Sequence, residues 1–122
     1  MSITLDHTVL SASDNESAAR RFADIMGVEL DGQEGVDGKF VSVRVSGSLR
    51  LFFVTSQKPA SQHLAFVVDD PTFDRILRRL RETRVRPRDT QNSRIDHPLA
   101  PRGLFWTDPD RHLFEVMTSA NC

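Results

Sequence analysis

The sequence predicts an α+β domain of two similar halves, and three observations predict it. Gln62-His63-Leu64-Ala65-Phe66-Val67 loosely repeats Leu5-Asp6-His7-Thr8-Val9-Leu10, each copy is followed by an amphipathic helical pattern, and each helix by runs that read as paired strands. The offsets agree: 63 − 7 = 56 for the histidines, and 69 − 13 = 56 for the residues opening the helices. The final strands align at 115 − 53 = 62, which sets Phe53 against Glu115.

The elements follow in order. Residues 3–10 alternate between apolar and polar and read as a strand. Ser13-x-x-Glu16 has the form of a capping box, and Ala18, Ala19, Phe22, Ile25 and Met26 recur at helical spacing until Gly27, a C-terminal stop. A turn-rich stretch holds Gly32, Gly35 and Gly38; the runs Phe40 to Val45 and Leu49 to Val54 then form a hairpin around Ser46-Gly47-Ser48. In the second half, His63 to Val68 is a strand. Asp70 caps a helix with Pro71 at its first position, and Phe73, Ile76, Leu77 and Leu80 form its apolar face. Arg78, Arg79, Arg81 and Arg84 suit the negative pole of that helix and read as a solvated face. The polar stretch from Arg86 to Arg102 reads as a loop, and Gly103 to Trp106 and His112 to Thr118 as a hairpin around Asp108-Pro109-Asp110.

The 122 residues suit a single domain, 1–122, with module one at about 1–58 and module two at about 59–122. With 16 basic and 17 acidic side chains, no excess of charge attracts nucleic acid or a membrane surface. The one cysteine, Cys122, excludes an internal disulfide. No signal-peptide pattern and no membrane-spanning run is present, so the expected setting is cytoplasmic.

Strand alternation brings polar groups onto one face. His63, Ala65 and Val67 are co-facial, as are Leu113, Glu115 and Met117, and Leu5, His7 and Val9. Two imidazoles and a carboxylate directed at the concave side of a curved sheet form the ligand set of a divalent metal with open positions, so His7, His63 and Glu115 are the candidate metal ligands. An ionised Glu115 between apolar neighbours needs such a partner. Glu115 and His97 are the candidate catalytic groups, His97 as a general base in the polar loop. Arg44, Phe53, Arg102, Trp106 and Met117 are the candidate substrate contacts, Arg44 for an anionic group and the others at the rim and walls. His112 shares a strand face with Phe114 and Val116 and reads as structural.

With these residues in view, the chain resembles the vicinal oxygen chelate superfamily, which includes glyoxalase I, extradiol dioxygenases, fosfomycin resistance transferases and bleomycin resistance proteins. The resemblance rests on Leu5-Asp6-His7, on Gln62 through Val67, and most specifically on Gly103 through Val116 with its Asp-Pro-Asp turn and inner-face Glu115. It implies two βαβββ modules forming a curved, cleft-enclosing mixed sheet with helices on the outer face. It also implies metal ligands at His7, His63 and Glu115, with the fourth family ligand position occupied by Phe53. Arg111 stands where that turn usually continues with glycine. The implied activity is that of a divalent-metal-dependent enzyme of the glyoxalase or dioxygenase type acting on a small oxygen-chelating substrate as a homodimer. Fe, Mn, Ni and Zn all suit its N/O ligands, and such an ion acts as a Lewis acid toward a developing oxyanion. The alternative is a metal-free dimer that binds an antibiotic or another small molecule, as the bleomycin resistance members do.

Overall fold

Asp14 and Asp69 open the two helices. A computed structural model describes residues 2–90, 95 and 101–119. In it the Asp14 side chain accepts from the Ser17 backbone N–H at 3.1 Å and from the Ser17 hydroxyl, while Asp69 accepts from the Thr72 N–H at 2.9 Å. Both caps differ from the expected Ser13 and Asp70: Asp in extended backbone satisfies an N–H three residues on, and Pro71, expected at the first helical position, falls one place later.

The chain divides into two compact units, Met1–Ser61 and Gln62–Cys122, each folded as βαβββ. The first consists of β1 (His7–Ala12), α1 (Asn15–Met26), β2 (Glu29–Glu34), β3 (Phe40–Arg44) and β4 (Arg50–Thr55), with one 3₁₀ turn at Val36–Gly38. The second consists of β5 (His63–Val67), α2 (Asp70–Glu82), β6 (Arg88–Asp89), β7 (Gly103–Thr107) and β8 (Leu113–Met117). The strand orders match, β1-β4-β3-β2 and β5-β8-β7-β6, with β1 parallel to β4, β5 parallel to β8, and the other pairs antiparallel.

Two strands lie where loops were expected. β2 is acidic and glycine-containing, a composition depleted in strands, and it pairs with β3 across a bulge between Leu30 and Gly32. Gly32 takes φ +113°, a backbone that L side chains rarely adopt. β6 is two residues long and pairs with β7. Conversely β1 begins at His7, so residues 2–6 precede the strand rather than starting it.

In each unit an apolar helix stripe and one sheet face are buried. The first unit buries Ala19, Phe22, Ala23 and Ile25 of α1 with Leu10, Val41, Val43, Leu51 and Phe53. Gly27 ends α1 at φ 71°, and its N–H donates to the Ala23 carbonyl. The second unit buries Phe73, Ile76, Leu77 and Leu80 of α2 with Leu104, Trp106, Phe114 and Val116. Burying a side chain of this size contributes about 1.5–3 kcal/mol, so these stripes rather than helix propensity hold the helices.

Candidate functional site

Because side chains alternate along a strand, the register of each sheet fixes what lies on the face away from the helix. In the second unit, Ala65 lies opposite Glu115 and Phe105 opposite Glu115 from the other side. His63 is two residues before Ala65, on the same face. Its Nε2–H donates to Glu115 Oε1 at 3.0 Å, with the imidazole side chain 53% exposed and the carboxylate 18% exposed. The Phe105 ring stands edge-on to His63 at 5.8 Å. Leu113 and Met117 flank Glu115 on its face, both half-buried. A partly desolvated carboxylate is thus held by an imidazole that solvent can reach.

The same positions of the first unit hold different chemistry. His7 lies opposite Arg50 and Val9 opposite Phe52. The His7 ring stacks on Phe52 at 4.6 Å with 19° between the planes, and His7 Nδ1–H donates to Asp6 Oδ2 at 2.8 Å. That bond from His7 holds the Asp6 carboxyl below its ordinary range. Arg50 lies 4.9 Å over the Phe52 ring and ion-pairs with Glu34 at 3.2 Å and Asp6 at 4.0 Å.

Of the expected ligands, His63 and Glu115 are joined within the second unit, and His7 belongs to the first. Among the described residues, no group of three or more His, Cys, Asp or Glu side chains is gathered as a metal centre. The donor set nevertheless suits a cation. Ligand atoms at about 2.1 Å from a metal, set at right angles, stand roughly 3.0 Å apart. His63 Nε2 and Glu115 Oε1 already hold that separation. Binding a cation would replace the proton between them.

Several expected substrate contacts lie elsewhere. Phe53 is fully buried on the helix face, 6.2 Å from Phe22, so the first-unit counterpart of Glu115 is Phe52; the offset is 115 − 52 = 63, not 62. Trp106 is likewise fully buried, with its ring 4.7 Å from Phe114, and the aromatic on the Glu115 face is Phe105. Arg102 faces α2: its guanidinium lies 4.3 Å over Phe73, pairs with Asp74 at 2.8 Å and donates to the Ile95 carbonyl at 3.1 Å. Arg44 lies opposite Arg50 on the His7 face and pairs with Asp31 at 3.4 Å. Met117 lies beside Glu115 as expected, and His97 lies outside the described residues. His112 is buried and its Nδ1 accepts the Gln62 N–H at 3.0 Å, a structural role. Sequence reasoning misses Asp6, Phe52 and Phe105, and it prefers Arg44 to Arg50 although the two share a face; Asp6 next to a candidate ligand histidine is the one visible signal.

No family profile matches the sequence. Solved structures do. The oxidase ChaP-H1 is 31% identical with a TM-score of 0.81, covering 98% of this chain and 98% of its own. The oxidase ChaP-H2 is 29% identical with a TM-score of 0.83, covering 98% and 96%. The fosfomycin resistance protein FosX of Mesorhizobium loti, 22% identical with a TM-score of 0.72 over 98% and 95%, has the same fold. The paired βαβββ units and these likenesses define the class: the chain belongs to the vicinal oxygen chelate superfamily.

Proposed function

We propose that the protein is a divalent-metal-dependent enzyme of the glyoxalase or dioxygenase type, acting on a small molecule with chelating oxygens. The observation that carries this reading is the 3.0 Å pairing of His63 with Glu115 on the open face of β5 and β8. A protein that merely sequesters a ligand has no need to place a carboxylate there, where partial desolvation costs energy unless a cation or proton offsets it. His7 is proposed as the third ligand because it stands in the β1–β4 register where His63 stands in β5–β8.

When bound, the ion would polarise substrate oxygens and stabilise negative charge developing on them. This chain's own residues do the rest. Glu115 would give one carboxylate oxygen to the ion, Phe105 and Met117 offer an apolar wall beside it, and Arg44 is the proposed cation for an anionic substrate group. Two similar proteins carry the name oxidase, which favours the oxidising branch of the family's chemistry. A point mutant of FosX from Listeria monocytogenes, of the same fold at 19% identity and a TM-score of 0.73, is complexed with Mn(II) and 1S,2S-dihydroxypropylphosphonic acid, which supports a divalent ion. A homodimer is the proposed assembly, since edge strands β1 and β5 carry the exposed Val9 and Val67.

Metal analysis of protein purified without chelator tests the reading. Roughly one ion per chain is expected, lost in both His63→Ala and Glu115→Ala. Metal content unchanged in either variant would overturn it in favour of the metal-free binder.

A further inference from the structure

The two histidines are held differently. His63 is engaged through Nε2 by Glu115, whereas His7 is engaged through Nδ1 by Asp6. A carboxylate is an acceptor only, so the nitrogen facing Asp6 must carry the proton; in a neutral ring the other nitrogen then presents a lone pair. Adjacent side chains in a strand point to opposite faces, and this contact exists because Asp6 lies just before β1 begins. Its backbone is fixed there: the Arg50 N–H donates to the Asp6 carbonyl at 3.0 Å. The Arg50 guanidinium lies 4.0 Å from Asp6 Oδ2 while held by Glu34 at 3.2 Å. The same guanidinium covers Phe52, on which the His7 ring stacks. One arginine thus braces both groups that touch His7, one at the ring edge and one at its face.

We infer that Asp6, braced by Arg50, is a positioning residue that holds His7 as its Nδ1–H tautomer and so presents Nε2 as the ligating nitrogen. The inference rests on the metal-dependent reading of His7, and it deepens it by naming which atom binds and what orients it. Partners that bond the distal nitrogen of a ligating histidine fix its ring and tautomer, and their loss weakens metal binding by about 10- to 100-fold. Asp6 is 74% exposed on its side chain, so the lower end of that range is expected here.

The test uses the full chain. Nitrogen-15 imidazole spectra of metal-free protein near pH 8 should show His7 protonated at Nδ1, and Asp6→Ala should shift it toward the Nε2–H form that an unrestrained imidazole prefers. Titration with Mn(II) and with Zn(II) should weaken about 10-fold in Asp6→Ala with thermal stability nearly unchanged. Asp6→Asn, whose side-chain carbonyl still accepts from Nδ1–H, should keep the tautomer and recover most of the affinity. The inference is overturned if Asp6→Ala leaves the tautomer as it was, or if it leaves affinity within about twofold while His7→Ala abolishes binding. Failure of the functional reading looks different: metal affinity then ignores His7→Ala altogether, and Nε2 is no ligand whatever its tautomer.

Discussion

Phe52 stands in the first unit where Glu115 stands in the second: each lies opposite the residue two past a strand-opening histidine, Val9 in one case and Ala65 in the other. The neighbouring Phe53 faces the opposite way into the core. This sets two adjacent phenylalanines in environments that one substitution can tell apart. Phe53→Glu forces a carboxylate against Phe22 and the other residues buried under α1, and should cost about 4 kcal/mol or more in urea unfolding. Phe52→Glu gives up the stack on His7 but gains Arg50 as a counter-ion, and should cost about 1.5 kcal/mol or less. The same substitution places an oxygen donor beside His7 and should tighten binding at the proposed metal site. Equal destabilisation by the two substitutions would contradict the register.

Arg102 fastens the loop entering β7 to α2, and its removal should be read in stability rather than activity. Arg102→Ala loses the packing over Phe73, the bond to the Ile95 carbonyl and the pair with Asp74. Asp74 is 61% exposed, so solvent screens most of that pair, and a loss of about 1–2 kcal/mol is expected from the packing and the carbonyl bond. Metal content should stay as in the unaltered chain. Loss of metal with stability preserved would return Arg102 to the site.

What was legible in the sequence is what a period can carry. The stripes Phe22/Ile25/Met26 and Phe73/Ile76/Leu77/Leu80 and the stop at Gly27 are helical signals several residues long, and the structure has them in place. Faces of strands are fragile by comparison, since a slip of one residue inverts them. Phe52-Phe53 and Phe105-Trp106 are pairs of like residues, so similarity alone does not choose the member on the open face; the repeat offset points to Phe53 and the candidate contacts include Trp106, whereas the register puts Phe52 and Phe105 there. β2 is masked by its glycine and its acids, and its pairing is imposed by β3. The α2 partners of Arg102, Phe73 and Asp74, lie far back in the sequence and leave no local trace. The His63–Glu115 pair was reachable because both residues sit on clear alternating strands.

The helix caps predict an acid response. Asp14 and Asp69 each have a carboxyl pKa lowered from 3.8, first by the bond from the Ser17 hydroxyl or the Thr72 side chain and then by the N–H they cap. A carboxyl lowered in the fold contributes stability that is complete above its unfolded pKa and is lost as pH falls through the folded value. The loss therefore belongs below about pH 4. Asn caps a helix as well as Asp but does not titrate, so Asp69→Asn should leave stability at pH 7 nearly unchanged and flatten the decline below pH 4. Asp108 acts in the opposite sense: burial raises its pKa, so the cost of its charge eases as pH falls toward that raised value. Identical acid unfolding curves for the chain and for Asp69→Asn would show that the cap is not ionised in the way described.

The turn before β8 carries a residue its backbone does not suit. Arg111 adopts φ 66°, a left-handed conformation that costs a side chain other than glycine about 1–2 kcal/mol. The turn holds it there: the Arg111 N–H donates to the Asp108 carbonyl at 2.9 Å, and Asp108 Oδ1 accepts the N–H of Asp110 at 3.1 Å and of His112 at 2.9 Å. Because buried His112 is anchored to Gln62, the turn cannot relax by shifting the strand that follows it. Arg111→Gly removes the steric cost and loses part of the gain to the greater freedom of glycine in the unfolded chain, leaving a net stabilisation of about 0.5–1 kcal/mol. Arg111→Ala keeps a Cβ and the strain, and should change stability by only a few tenths of a kcal/mol. Urea midpoints for the three chains separate the backbone effect from the charge. A destabilised Arg111→Gly would mean that the exposed guanidinium contributes more than its conformation costs.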